Sequence, residues 1–257
     1  MEPLITLKNV SKHFPEDGKQ GMTVLTDINL EIFPGEIFAF VGPSGSGKST
    51  LLRIMSGLER QYNGSVIIHE GHNNRDFSFV FQQFALLPWL TVGENIGLGL
   101  VARNIPAYRV KERVVKELKR FGLEKFGNSY PRDLSGGMRQ RVGIARPLAA
   151  DPKVIFMDEP FSELDSFTAE ELRKELLRIW ENPEWEEEKE HTQERPTIVM
   201  VTHIVEEALE LADRIAVLTE RPGKIEKIVK NTLPRPRALR SQEFFALEDE
   251  LYRLIKP

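Results

Sequence analysis

The sequence predicts an α/β fold with a parallel core sheet, an antiparallel β subdomain beside it and a helical subdomain. Three observations lead there. Ile37-Phe38-Ala39-Phe40-Val41 is an apolar run of the kind that fits a strand buried on both faces, as in a parallel sheet, and Val154–Met157 repeats the pattern. Val24, Thr26, Ile28, Leu30 and Ile32 alternate with Leu25, Asp27, Asn29 and Glu31, the period of a strand with one wet face. After Pro106, residues Val110, Val114, Leu118 and Phe121 recur at helical spacing, away from the sheet.

Composition narrows the function classes. A chain of 257 residues with 40% hydrophobic content can bury one sizeable core, and residues 1–257 read as a single domain. Within it, residues 83–150 approximate the helical subdomain and residues 231–257 form a connector and a closing helix. With 35 basic and 39 acidic residues the net charge is −4, so no broad basic field points to nucleic acid. Cysteine is absent, which excludes disulfides, thiolate metal sites and a cysteine nucleophile. The amino terminus carries no basic-plus-apolar signal pattern, and no run approaches the roughly 18 apolar residues of a membrane span. Action at a membrane would need another anchor.

Leu4–Val10 reads as the neighbour of the alternating strand, and Phe14, placed just after it and before the polar stretch 15–21, reads first as a core aromatic. The apolar run then leads into Gly42-Pro43-Ser44-Gly45-Ser46-Gly47-Lys48-Ser49-Thr50, which matches G-x-x-x-x-G-K-[ST], and into a helix from Leu51. Strand, glycine loop and helix together make a phosphate cradle: backbone N–H groups and the helix dipole face an anion. Lys48 would reach the β and γ phosphates of a nucleoside triphosphate, and the Ser49 hydroxyl would hold Mg²⁺.

Further strands are expected at Gly64–His69 and Phe77–Phe81 around a Gly71–Asn74 turn, with Gln82 ending the second. Leu86-Leu87-Pro88-Trp89-Leu90 is an apolar segment whose proline disfavours regular structure; it either packs under a loop or forms a docking surface. Ser135 is a natural N-cap for a helix with Met138, Val142, Ala145 and Ala149 on one stripe. Gly136 and Gly137 leave its first N–H groups open to an anion, a simple capped helix being the alternative. Pro147 inside that helix predicts a kink or an early end.

The strand at Val154 ends in Asp158-Glu159, carboxylates at the strand end where such folds place ligands. Asp158 suits Mg²⁺, and Glu159 suits a water attacking the γ-phosphate. Ala169, Leu172, Leu176 and Ile179 define a helix, and the acid-rich stretch 184–195 reads as a solvated, mobile insertion. Thr197–Val201 is a strand with Thr202-His203 at its carboxyl end, beside the other ligand-bearing ends, so His203 is expected to contact phosphate. Strands near Ile215–Leu218 and Ile225–Val229, a proline-rich connector, and a helix carrying Phe244, Leu247, Leu251 and Leu254 close the chain.

The ordered set Gly42–Thr50, Gln82, Leu134–Gln140, Asp158-Glu159, Asp165 and His203 resembles the ATP-binding subunits of ABC transporters over nearly the whole chain. The resemblance implies a P-loop NTPase of the ABC ATPase type that binds ATP and Mg²⁺ and hydrolyses ATP. It gives Phe14 to adenine stacking, Gln82 to Mg²⁺ and the attacking water, Glu159 to general base catalysis, and His203 to the γ-phosphate. Asp165 would help join two sites, because two copies close head to tail and Ser135, Gly136 and Gly137 of one cap the nucleotide of the other. The loop after Gln82 would receive a permease helix, giving Trp89 a docking role. The protein would sit on the cytoplasmic face of the membrane as a peripheral subunit, meeting a solute-binding protein only indirectly.

Leu86–Val92, Asp158–Ser162, Asp213–Ile215, Arg221–Ile225 and the Leu233–Arg237 connector look like the nitrate, sulfonate and taurine importer branch. Pro147, Glu163 and Ile204 replace residues usual in the family, and the acidic insertion is extra; Glu163 and Pro147 bear on dimer affinity. Two rivals are a soluble ABC-type ATPase acting on nucleic acid or as a regulatory switch, and a nucleotide-binding module without turnover. Acidic balance and the Trp89 loop oppose the first; Glu159 and His203 oppose the second.

Overall fold

A computed structural model describes residues 2–16, 19–69, 76–181 and 195–255. In chain order the strands are β1 (Ile5–Glu16), β2 (Lys19–Ile32), β3 (Ile37–Val41), β4 (Asn63–Ile68) and β5 (Phe77–Val80). They continue with β6 (Val154–Asp158), β7 (Thr197–Val201), β8 (Arg214–Leu218) and β9 (Ile225–Lys230). The helices are α1 (Lys48–Met55), α2 (Val92–Ala102), α3 (Ala107–Arg120), α4 (Gly136–Ala149), α5 (Ser166–Glu181), α6 (Val205–Leu211) and α7 (Gln242–Ile255). The expected Gly71–Asn74 turn and residues 184–194 of the acidic stretch lie outside the described residues.

Strands β2-β1-β4 form an antiparallel sheet, and β5-β6-β7-β3-β8-β9 form a second that is parallel except for β9. The parallel strands are apolar throughout because both of their faces are covered. Phe38, Phe40, Phe156, Val199 and Val201 enter one core with α1 and the antiparallel sheet. The residues between them, Ile37, Ala39, Val41, Ile155, Met157, Ile198 and Met200, enter the other core beneath the helices. The connector ties α6 down: Arg237 Nη1 donates to Leu209 O and Glu210 O at 2.9 Å each, satisfying carbonyls near the helix end. Burial pushes its guanidinium down to about 10.

The structure corrects four local expectations. Phe14 lies within β1, not after it, opposite Met22 of β2; beyond Ser11 the strand pairs with β2 alone, so Pro15 occupies an edge. Leu25 is buried, not wet, because the ladder slips between Val10/Ile28 and Lys12/Leu25, beside Asp27 at φ 50°. Helix α4 runs through Pro147 and ends two residues later at Ala149, so the proline, which cannot bond Gly143 O, stands in its last turn. The fourth is a helix that was not anticipated: α2, whose three glycines lower its intrinsic propensity. Its start carries a capping box, Glu94 N donating to Thr91 Oγ1 at 3.2 Å and Thr91 N donating to Glu94 Oε2 at 2.7 Å.

Asn95 of α2 is fully buried and fixes the Leu86–Leu90 loop. Its Oδ1 accepts from Leu87 N at 2.8 Å, and its Nδ2 donates to Leu87 O, Leu90 O and Thr91 O at 2.9–3.1 Å. Truncation would strand several buried backbone groups at once. Asn95→Ala is expected to lower stability by about 2–3 kcal/mol in denaturant unfolding of the ligand-free protein; a change under about 0.5 kcal/mol would show that water replaces the amide.

Candidate active site

Parallel pairing brings the carboxyl ends of three strands to one edge. Val201 of β7 lies opposite Phe40 of β3 on one side and Asp158 of β6 on the other. The chain segments that leave these strands, Gly42 onward, Glu159 and Thr202-His203, therefore start side by side, where open α/β sheets hold ligands.

Between β3 and α1 the loop turns on Gly47, at φ 98°, where an added Cβ would come 2.7 Å from Leu25 Cδ2. Lys48 follows as the first residue of α1 and is 5% exposed. Its Nζ donates to Gly42 O and Pro43 O, both at 2.8 Å, and lies 3.5 Å from Ser46 Oγ. Burial pushes the ammonium pKa down, and the carboxylates of Glu159 and Asp158 oppose that shift.

Ser49 Oγ donates to Asp158 Oδ1 at 2.6 Å, and Arg53 stands 3.6 Å from the other carboxylate oxygen. Asp158 is 3% exposed, and its burial pushes the carboxyl pKa above the ordinary 3.8 despite these partners. Two hard oxygen donors in contact suit Mg²⁺. Among the described residues no group of three or more His, Cys, Asp or Glu could hold a metal, so further ligands would have to be neutral side chains such as Gln82, nucleotide oxygens or water.

Glu159 takes a left-handed backbone, φ 46°, with its N–H on Val201 O at 3.0 Å. That conformation is costly for a residue with a Cβ and marks a constrained site. Its Oε2 lies 3.0 Å from His203 Nδ1. Ile204, which precedes α6 at its N-cap, supplies no capping oxygen; Thr202 Oγ1 accepts from Ile204 N at 3.1 Å and donates to Glu207 at 2.7 Å instead. This bonding braces the backbone beside His203.

A cavity of about 310 Å³ gathers Phe14, Ser44, Gly45, Gly47, Lys48, Ser49, Thr50 and Glu159. Phe14 is 37% exposed there, with Lys12 Nζ 4.4 Å from its ring centroid, so it is a cavity wall and not a core aromatic. Gln82 is exposed beyond β5 and makes no hydrogen bond to the described site residues. Ser135, Gly136 and Gly137 begin α4 elsewhere, lining a separate cavity of about 460 Å³ with Glu163 and Asp165. There Ser135 Oγ accepts from Met138 N at 3.3 Å, and Asp165 accepts from Thr168 N at 3.0 Å and Thr168 Oγ1 at 2.7 Å. Met22, Val24 and Arg221 complete the smaller cavity and were not anticipated. No local pattern announces them: Arg221 reaches Gly45 across 176 positions of sequence.

Residues 25–162 match the family described as ABC transporter. The chain belongs to the ABC transporter family. An uncharacterized ABC transporter ATP-binding protein of Methanocaldococcus jannaschii is 42% identical over 260 residues, spanning 100% of this chain and 92% of that protein. The aliphatic sulfonates import ATP-binding protein SsuB of Bacillus subtilis is 39% identical, spanning 96% and 92%. The sulfate/thiosulfate import ATP-binding protein CysA of Synechocystis is 44% identical over 87% of this chain and 60% of that protein. Among solved structures, a dimeric ATP-binding cassette in a post-hydrolysis state with ADP and Pi aligns with TM-score 0.74 and 35% identity, covering 88% of this chain and 98% of that one. This chain is accordingly an ABC ATP-binding subunit with the family's α/β cassette fold.

Asp158 gives the ligand-free ABC subunit a pH dependence whose sign follows from burial. With its folded pKa above 3.8, the folded state binds the proton before the unfolded chain does as pH falls. Stability from this group is gained on the way down through the raised folded value and lost as pH rises through it. A charge held there at neutral pH opposes folding. Asp158→Asn is expected to raise the ligand-free melting midpoint at pH 7 by about 2–4 °C, an advantage that shrinks toward pH 4; a lower midpoint at pH 7 would overturn this account.

Proposed function

We propose that this chain is the ATP-hydrolysing subunit of an ABC importer for a small solute of the nitrate, sulfonate or taurine kind. One observation carries the hydrolytic reading: the Glu159 carboxylate lines the cavity of the phosphate loop and is held by His203 at 3.0 Å. A base so placed is what γ-phosphate hydrolysis needs.

On this reading adenine lies against Phe14, and Gly42–Thr50 cradle the phosphates. Lys48 leaves its loop carbonyls for the β and γ phosphates. Ser49, Asp158 and Gln82 would hold Mg²⁺, which supplies charge neutralisation on the phosphates when bound. Glu159 takes a proton from the attacking water as its oxygen bonds the γ-phosphorus; the bond to the β–γ bridging oxygen breaks, and its electron pair leaves with ADP. His203 holds Glu159 and contacts the γ-phosphate.

Ser135, Gly136 and Gly137 would cap the nucleotide of a second copy in a closed homodimer, consistent with their separation from Lys48 within one chain. The dimeric arrangement of the aligned cassette supports this. Partners would be integral membrane permease subunits and, indirectly, a solute-binding protein, with no nucleic acid. Among the described residues no helix is long and apolar enough to cross a membrane, so the subunit would be held peripherally at the cytoplasmic face by its permease. Trp89, 70% exposed on the loop that Asn95 fixes, is the proposed docking residue. The importer names of the sulfonate and sulfate/thiosulfate relatives support the direction and the solute class.

Glu159→Gln is expected to cut ATP turnover by at least about 100-fold while leaving ATP affinity within about 3-fold. Equal turnover in both proteins would sink the general-base assignment. For the partner, tagged protein is captured from its native membranes alongside the double variant Trp89→Ala, Leu90→Ala. Recovery of one polytopic permease by wild type, lost in the variant, is expected; a soluble or nucleic-acid partner in its place would move the protein to another class of ABC ATPase.

A further inference from the structure

Arg221 is the one side chain of the cavity that enters from the β8–β9 side, and the fold fixes its place. The turn that carries it is bonded to β2, Gly223 N donating to Val24 O at 2.8 Å and Thr26 N to Gly223 O at 3.0 Å. Across the turn, Thr219 N donates to Lys224 O and Lys224 N to Thr219 Oγ1, both at 3.0 Å. Gly223 lies so close to the phosphate loop that an added Cβ would fall 2.0 Å from Ser46 O, so only glycine permits this approach. The residue two positions earlier is thereby delivered to the cavity although it lies on the surface.

The guanidinium spans two walls. Nε donates to Gly45 O at 3.0 Å, on the phosphate loop, and Nη1 lies 2.7 Å from Met22 Sδ, on the wall shared with Phe14. A thioether is a weak acceptor, and Nη2 bonds no described residue. No described carboxylate pairs with Arg221 either. A cation whose N–H groups are left largely unused, facing a cavity lined by a phosphate loop, has the chemistry to take a phosphate oxygen.

We propose that Arg221 is a further nucleotide-binding residue of this site, donating from its guanidinium to the phosphate chain at the end nearer the sugar. The inference rests on the reading of the cavity as the ATP site and adds to it a contact from outside the loop. Position assigns the end: Arg221 stands between the aromatic wall and the loop, where base and phosphates join. In the ligand-free protein the Met22 sulfur holds the place that a phosphate oxygen would take.

Calorimetric titration of the full chain with Mg·ATP and Mg·ADP tests this in wild type and three variants. Arg221→Ala removes the group, Arg221→Lys keeps the charge, and Arg221→Gln keeps a donor without charge. Arg221→Ala and Arg221→Gln are expected to weaken both nucleotides about 10-fold, and Arg221→Lys to recover affinity to within about 3-fold of wild type. Recovery by Gln equal to that by Lys, with a lowered ligand-free melting midpoint in Arg221→Ala, would reduce the residue to a prop for Gly45 and overturn the proposal. Wild-type binding with all variants unchanged would also overturn it while leaving the ATP site intact. Failure of wild type itself to bind either nucleotide would overturn the parent reading.

Discussion

The position of Val201 between Phe40 and Asp158 is the constraint on which the site depends. A slip of one residue in β7 would turn every side chain of that strand to the opposite face and move His203 away from Glu159. What prevents the slip is burial on both sides. Phe40, Phe156 and Val201 fill one core while Val41, Met157 and Met200 fill the other, so a shifted register would misfit two packed layers at once. The polar groups of the site can therefore sit at the ends of strands that contain almost no polar side chains.

Around that edge the charges are satisfied internally. Lys48 is spent on Gly42 O and Pro43 O, and Ser49 is spent on Asp158. An unpaired buried ammonium or carboxylate would cost several kcal/mol, so these contacts keep the empty site folded. They also define what a ligand must offer. A phosphate chain would offer Lys48 oxygens in place of its carbonyls, a hard cation would offer Asp158 a charge in place of the Ser49 hydroxyl, and both would favour the charged forms that burial disfavours. Ligand binding and relief of burial thus act in the same direction.

The parts of this arrangement that were legible in the sequence are those with a local signature. Ile37–Val41 and Thr197–Val201 read as strands because double burial leaves an uninterrupted apolar run, and Gly42–Thr50 carries its chemistry in consecutive residues. Asp158 and Ser49 were both expected at a Mg²⁺ site, one from its strand end and the other from the phosphate loop, and they are in contact at 2.6 Å. Leu25 departs from the alternation because the ladder slips there without any mark in composition, and the three glycines of α2 blunt its apolar stripe. The Thr91–Glu94 capping box was the available signal for that helix. Nothing comparable exists for Arg221, whose placement is a product of the β8–β9 turn folding onto a loop 176 residues earlier.

Residues that depart from the family pattern find different accommodations. Pro147 is absorbed by its position in the last turn of α4, and Ile204 by the Thr202 hydroxyl that bonds its backbone. Glu163 has no such relief. It lines the cavity at the start of α4 with Ser135, Gly136 and Gly137, where open N–H groups favour an anion. The cation in that cavity, Arg141, is already engaged by Glu171 at 3.3 Å and by Phe121 O at 3.3 Å. An anion presented there by a second copy would meet a carboxylate that Arg141 does little to offset, and within a Debye length of about 8 Å salt screens that repulsion only in part. The helix start and Glu163 therefore act against each other, and in the proposed closed dimer the balance between them would set how firmly two subunits hold a nucleotide.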